Sequence, residues 1–221
     1  MASTPDSTLS RLSRRRFLEL TGMSSLALTA ACSTPAGLLD TELGIDTGED
    51  PDACVQTSTD IEGPFWIEGV PVRTNLDLYA DPGMRLAISG KVLATDHDCA
   101  PLANAVVEIW HANDAGAYDN DSPELRYRGQ TATDAEGRWS FNTIKPGWYL
   151  NGSQYRPSHI HVKIHHQGVE LLTTQLYFEG DPYLEDDPWA EESRVMSIKD
   201  REDGSLACSY TFNVLVEPIT P

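Results

Sequence analysis

Short stretches in which apolar and polar residues alternate recur along most of this chain, and they constrain its fold more than any other feature. RWSFNTI places Trp139, Phe141 and Thr143 on one face, and CSYTFNVLVE alternates over its whole length. RLAISGKVLA, AVVEIWHA and TTQLYF read as further strands, separated by turn-rich pieces such as ATDHDCAP, TATDAEGR and IKPGWYLNG. Helical periodicity is nearly absent. Many short strands between frequent turns indicate an all-β fold, a single β-sandwich domain with long loops.

The first 32 residues have the composition of an export signal rather than of a folded segment. SRRRFLELTGMSSLALTAAC contains a twin arginine, an apolar stretch and then small residues before Cys32. The apolar stretch is too short for a spanning helix, which needs roughly 20 residues. We therefore predict a twin-arginine-type signal peptide over residues 1–32.

The end of this signal, Thr29-Ala30-Ala31-Cys32, resembles a bacterial lipoprotein cleavage site. A lipid anchor at Cys32 is one prediction, and simple cleavage after a small residue is the alternative. The expected location is extracellular, periplasmic or membrane-anchored as a lipoprotein.

Residues 33–53 are rich in Gly, Thr, Asp and Glu, a composition that cannot bury enough apolar surface to fold, so we predict a disordered acidic linker. The folded domain is then predicted over residues 54–221. The chain carries a formal charge of −18, which argues against nucleic acid as a partner.

Cys54, Cys99 and Cys208 allow one disulfide in an oxidising compartment, and the sequence leaves the pairing open.

The stretch YRPSHIHVKI raises the possibility of a metal site. If it is a strand, His159, His161 and Lys163 share one face while Ile160 and the later apolar residues point toward the core. Two imidazoles one pleat apart can reach a single metal ion, although most His-x-His strands are ordinary surface. We interpret the other four histidines as structural or solvent-facing: His97, His111, His165 and His166.

Two tyrosines stand at the ends of distinctive stretches. Tyr118 ends WHANDAGAY after a strand, and Tyr149 ends IKPGWY in the turn before the histidine strand. Each alone reads as a tyrosine with a buried ring and a hydrated hydroxyl. The acidic stretch EGDPYLEDDPWAEESR, from Glu179 to Arg194, reads as a solvated loop.

Five blocks taken together resemble the intradiol ring-cleaving dioxygenases, in particular the protocatechuate dioxygenase-like, exported type. They are EGPFW, IWHANDAGAY, TDAEGRWSFNTIKPGWY, YRPSHIHVKI and TQLYFEGDPY, in the family's order. The resemblance implies a single non-haem ferric ion, Fe(III), held by two tyrosines and two histidines. Carried over by motif, the ligands are Tyr118, Tyr149, His159 and His161.

The resemblance also implies the reaction. A catechol-type aromatic binds at the iron and reacts with dioxygen, and the ring opens between the two hydroxyl-bearing carbons to give a cis,cis-muconate-type diacid. Tyr149 would take up a substrate proton, Arg156 would stabilise negative charge on the ring, and Gln175 would stand beside it. The short polar turn after Tyr149 departs from the protocatechuate enzymes and indicates a different substrate pocket.

Two other readings compete with this one. A non-catalytic extracellular binding module is possible because the sandwich resembles prealbumin-like domains, but that reading gives the four ligands no purpose. A zinc hydrolase is the other, and zinc seldom takes two tyrosines.

Overall fold

The structure is a computed structural model that describes residues 54–216. The predicted signal peptide, the acidic linker and Cys32 lie outside the described residues. Two single 3-10 turns, Thr95–His97 and Glu192–Arg194, accompany twelve strands. The strands are β1 (Arg85–Ala94), β2 (Ala100–Pro101), β3 (Val106–Trp110), β4 (Arg128–Ala132), β5 (Arg138–Ile144), β6 (Tyr149–Asn151), β7 (Gln154–Arg156), β8 (His159–His166), β9 (Val169–Phe178), β10 (Val195–Met196), β11 (Lys199–Asp200) and β12 (Leu206–Val214).

Two five-stranded sheets and one small ribbon account for all of these strands. In the first sheet the order is β11-β12-β1-β2, and β5 pairs with β1 as well. The second sheet has the order β10-β9-β8-β3-β4, and β6 pairs only with β7 to form the ribbon. Within the first sheet, the parallel pairing of β1 with the C-terminal β12 ties the two ends of the described domain together. The prediction of an all-β sandwich is confirmed.

The core lies between the two sheets and follows the predicted alternation. Trp139 and Phe141 of β5 and Phe212 of β12 face the apolar side chains of the second sheet. Ile160 and Val162 of β8 belong to the same core and are fully buried. Burial of this apolar surface is the main term that stabilises the fold.

The outer face of the second sheet is also buried, but many of its side chains are polar. They come from three neighbouring strands and are at most 6% exposed: Glu108, His159, His161, Lys163, Gln175 and, with a phenol, Tyr177. Buried polar groups need partners, because an unpaired one costs free energy. The face that carries His159 and His161 is therefore not exposed, because other parts of the chain cover it.

One cover of that face is the N-terminal strap, residues 54–66. A disulfide joins Cys54 to Cys99, which resolves the pairing that the sequence left open, and Cys208 is a buried free thiol. Farther along the strap, the Asp60 N–H donates to the carbonyl of Thr173 on β9 (3.0 Å). The strap thus runs from the first sheet onto the outer face of the second.

The acidic stretch after β9 is a second cover of this face, and its prediction as a solvated loop is wrong at important positions. Asp187 is only 6% exposed and Arg194 only 1%. Each is held by an ion pair, Asp187 with Arg156 and Arg194 with Asp60. Between residues 54 and 216 no helix is long and apolar enough to cross a membrane.

Candidate metal centre

The centre is built first on strand β8, whose pleat presents His159 and His161 side by side. Their ring centroids are 4.9 Å apart, and both rings are buried. The Nε2 atoms of both histidines lie 3.1 Å from the phenol oxygen of Tyr118. Two imidazole nitrogens and one phenol oxygen therefore converge on one point.

The surroundings of each histidine fix its ring. His159 Nδ1 lies 2.6 Å from the carbonyl oxygen of Pro157, which can only accept, so Nδ1 carries the proton and Nε2 keeps its lone pair. His161 is stacked on Trp110 of β3 with centroids 4.7 Å apart and an interplanar angle of 9°. Both rings are thus held in orientation by contacts that do not use Nε2.

Tyr118 lies in the loop after β3, and a small hydrogen-bonded turn sets its position. Asn113 Oδ1 accepts from the N–H groups of Ala115 (3.0 Å) and Ala117 (2.9 Å). On the other side of the tyrosine, Arg128 Nε donates to the carbonyl of Asp119 (3.0 Å). An asparagine that bonds to the backbone two residues later is a common way to stabilise a turn. The motif HAND is therefore the local cause of the tyrosine's position.

Tyr149 is the first residue of strand β6, whereas the sequence predicted a turn there. Its ring lies at an edge-on angle of 86° to Tyr118, with centroids 5.7 Å apart. Two glycines allow this approach, because a Cβ at Gly116 would lie 2.8 Å from the Tyr149 Cβ and a Cβ at Gly147 would lie 2.1 Å from the Asp114 carbonyl oxygen. The close approach of the two tyrosine-bearing segments therefore depends on glycine at both positions.

Burial dominates the electrostatics of the four groups. It lowers the pKa of His159 to about 3 and that of His161 well below its usual value, so both rings are neutral. It also raises the pKa of Tyr118 well above the usual value and raises that of Tyr149, while the charge of Arg156 opposes the rise at Tyr149. Neutral imidazoles are ready ligands, and the phenols need a nearby cation in order to ionise.

Arg156 and Gln175, the other two predicted site residues, stand next to these groups. Arg156 is cross-strand neighbour to Tyr149 in the ribbon, and its Nη2 donates to Gln175 Oε1 (2.8 Å). Gln175 is paired with His161 in the sheet register, and its Nε2 donates to the strap carbonyl of Ile61 (2.8 Å). The arrangement holds one positive charge beside two phenols.

The donor set fits a trivalent metal ion. In the described part of the chain no three His, Cys, Asp or Glu side chains are grouped to hold a metal, so a site here needs the phenol oxygens. Phenolate is a hard anionic donor, and two of them with two neutral imidazoles favour a ferric over a ferrous ion. Coordination to such an ion would ionise phenols whose pKa burial has raised.

Sequence reasoning missed two members of the site. Phe65 of the strap stacks on Tyr118 with centroids 4.1 Å apart, and Asp187 forms an ion pair with Arg156. Phe65 is inside the block EGPFW, which was recognised without a role, and nothing local distinguishes Asp187 from its acidic neighbours.

The four histidines predicted to be structural or solvent-facing remain outside the centre. His111 is buried, and its ring lies 2.7 Å from both the Ala112 carbonyl and the Thr143 hydroxyl. His165 and His166 are half-buried and His97 is exposed.

The fold and the site together define a β-sandwich with a buried centre of two imidazoles and two phenols. Comparison with known proteins shows which family has this fold and site. The family model Dioxygenase_C, described as "Dioxygenase", matches residues 61–218. Catechol 1,2-dioxygenase 2 of Acinetobacter lwoffii is 40% identical over 151 residues, 59% of this chain and 54% of that protein. The protocatechuate 3,4-dioxygenase beta chain of Burkholderia cepacia is 42% identical over 155 residues, 61% of this chain and 65% of that one.

Among solved structures, a similar one is the dioxygenase domain of a dioxygenase carbohydrate-binding protein fusion from the cellulolytic bacterium Streptomyces sp. SirexAA-E. The TM-score is 0.66 at 32% sequence identity, covering 74% of this chain and all of that domain. The match to the Acinetobacter enzyme spans only about half of that relative's length. The chain belongs to the intradiol ring-cleavage dioxygenase family.

Proposed function

We propose that this protein is a non-haem ferric intradiol dioxygenase that cleaves a catechol-type ring between its two hydroxyl-bearing carbons with dioxygen. The product would be a cis,cis-muconate-type diacid. One observation carries the proposal: both imidazole Nε2 atoms lie 3.1 Å from one buried phenol oxygen, with a second phenol against it. The relatives named above as catechol and protocatechuate dioxygenases support the same reaction class.

Tyr118, Tyr149, His159 and His161 would hold the ferric ion. When bound, the ion supplies a Lewis-acidic, electron-accepting centre that makes a catecholate reactive toward dioxygen. The protein's own part is to hold the donors in a dry site, where electrostatic interactions are stronger than in water.

Three side chains, the donor Tyr149 and two neighbours of the donors, would take part in the reaction. The Tyr149 phenolate would accept a proton from a substrate hydroxyl and become a neutral phenol, because burial raises the pKa of this side chain and so favours its protonated form. The guanidinium of Arg156 would stabilise negative charge on the ring, and Phe65 would exclude water above Tyr118. A small catecholic substrate and dioxygen are thus the expected partners.

We also propose that the protein is exported by its twin-arginine-type signal and works outside the cytoplasm, secreted, periplasmic or anchored through Cys32. The Cys54–Cys99 disulfide supports this, since disulfides persist in oxidising compartments.

The test is optical. Ferric tyrosinate should give the purified, iron-loaded protein a visible charge-transfer band that shifts when catechol is added, with oxygen uptake and a ring-opened diacid. Tyr118→Phe and His161→Ala should lose iron or activity. Tyr210→Phe in the first sheet and His166→Ala at the end of β8 are the matched controls and should retain both.

Two results would contradict the proposal. A preparation that stays colourless after iron loading would favour a non-catalytic binding module. Full activity in both Tyr118→Phe and His161→Ala would refute the ligand assignment.

A further inference from the structure

The acidic segment between β9 and the second 3-10 turn covers one side of the candidate centre, and one of its carboxylates, that of Asp187, reaches Arg156. Asp187 is 6% exposed, and its Oδ2 accepts from Arg156 Nε at 2.5 Å. Neighbouring carboxylates of the segment, such as Glu185 and Asp186, are exposed. One acid of the segment therefore differs from its neighbours in burial and in partner.

The second oxygen of the same carboxylate holds the backbone of the segment. Asp187 Oδ1 accepts from the N–H groups of Trp189 (2.9 Å) and Ala190 (3.1 Å). One oxygen thus fixes a turn and the other fixes an arginine. This turn also positions Trp189, whose ring centroid lies 4.6 Å from the Arg156 guanidinium carbon.

Arg156 is in consequence held on three sides. Its Nε is bound to Asp187, its Nη2 to Gln175, and its plane lies against Trp189. A guanidinium is a rigid planar fork, so fixing two of its nitrogens and one face fixes its whole orientation. Tyr149 is the cross-strand neighbour of Arg156 in the ribbon, so the two side chains lie on the same face.

We propose that Asp187 is a positioning residue for the ring-cleavage reaction, which it serves by holding the Arg156 guanidinium beside Tyr149 and the substrate. This role rests on the proposed function. Without the carboxylate, Arg156 would keep its charge but lose the contact that directs it, and a charge that is displaced by about 1 Å stabilises a transition state far less.

The experiment compares two neighbouring substitutions that change the same charge. Asp187→Asn removes the buried carboxylate, and Asp186→Asn removes an exposed one. Both are made in the full chain, loaded with iron and tested with catechol by oxygen uptake. Iron per chain and the catechol-induced shift of the charge-transfer band are measured on the same samples.

We expect Asp187→Asn to lower kcat by about 10- to 100-fold, the usual effect of losing a group that orients a site residue, with KM little changed. Iron content should stay the same, and the band shift with catechol should change. Asp186→Asn should stay within about twofold of wild type on every measure.

A double-mutant cycle separates positioning from a general structural effect. Arg156→Gln is made alone and together with Asp187→Asn. If Asp187 acts through Arg156, the second substitution adds little to the first, whereas independent losses would multiply and overturn the proposal. Should Asp187→Asn fold poorly, Asp187→Glu keeps the charge but moves the carboxylate by one methylene. A wild-type kcat in that variant would also overturn it.

The inference and the proposed function fail in different ways. If wild type binds iron and turns over catechol while Asp187→Asn behaves like Asp186→Asn, only the positioning role is overturned. If wild type takes up no iron and consumes no catechol, the proposed function fails and the role of Asp187 fails with it.

Discussion

Gly147 is the point at which the two tyrosine-bearing segments of the centre touch, and Gly147→Ala is therefore a sharp test of the site. A Cβ at this position would lie 2.1 Å from the carbonyl oxygen of Asp114 and 3.0 Å from the Gly116 nitrogen. Both contacts are with backbone, which cannot rotate away. The Gly147 N–H also donates to the Asn113 carbonyl at 2.9 Å.

The size of the effect follows from these distances. A Cβ needs at least 3.0 Å from a carbonyl oxygen, so the two segments must separate by about 0.9 Å. Overpacking of this kind costs about 1–3 kcal/mol of unfolding free energy, to which the weakened hydrogen bond contributes. The sandwich core is not touched, so the chain should still fold. A displacement near 1 Å between Tyr118 and Tyr149 should reduce kcat about 100-fold.

The assay is catechol-dependent oxygen uptake on iron-loaded protein, with iron per chain and the charge-transfer band measured in parallel. Gly152→Ala, in the turn between β6 and β7, is the control: an added Cβ would meet no heavy atom within 4 Å beyond its chain neighbours, although its φ of +65° makes alanine strained. It should lose a little stability and keep its activity. If Gly147→Ala keeps kcat within about threefold of wild type and binds iron normally, the reasoning about this contact is wrong.

Two further predictions concern stability. Replacing both Cys54 and Cys99 with serine opens a loop spanning 45 residues and should lower the unfolding free energy by about 4 kcal/mol; equal denaturant midpoints would contradict this. Burial lowers the pKa of His111 to about 4, so the folded state keeps this ring neutral while the unfolded state protonates it near pH 6.5. Its contribution to the stability of the metal-free protein is complete above about pH 6.5 and is lost as the pH falls toward 4. Over that interval, the unfolding free energy of His111→Gln should fall with decreasing pH less steeply than that of wild type, by about 1.4 kcal/mol per pH unit. Denaturation series at several pH values measure both slopes, and equal slopes would contradict this role of His111.

Much of the fold was predictable because strand alternation is a local property. The side-chain period of two placed Trp139 and Phe141 on one face of their strand, and the structure buries that face in the core. The same period assigned His159 and His161 to the opposite face. It could not say that this face is buried, because the strap and the acidic segment that cover it come from 15 or more residues away in the chain.

The candidate centre likewise divides into what the sequence predicts and what only the tertiary structure shows. The motifs brought Tyr118, Tyr149 and the histidines into one hypothesis by resemblance, and the structure brings their donor atoms together. Asp187 stayed hidden because its carboxylate has several acidic neighbours in sequence, and only one of them reaches Arg156.

By itself, the sequence determined which faces of each strand are apolar, that a histidine pair shares one face, and that the chain carries the motifs of its family. The tertiary structure decided that the histidine face is enclosed, that Cys54 pairs with Cys99, and that the two tyrosine segments meet at Gly116 and Gly147. The physical reason is the distance along the chain over which each kind of interaction acts. Periodicity and turn chemistry act over a few residues, whereas convergence of donors and burial of a polar face depend on strand order and loop paths across the whole domain.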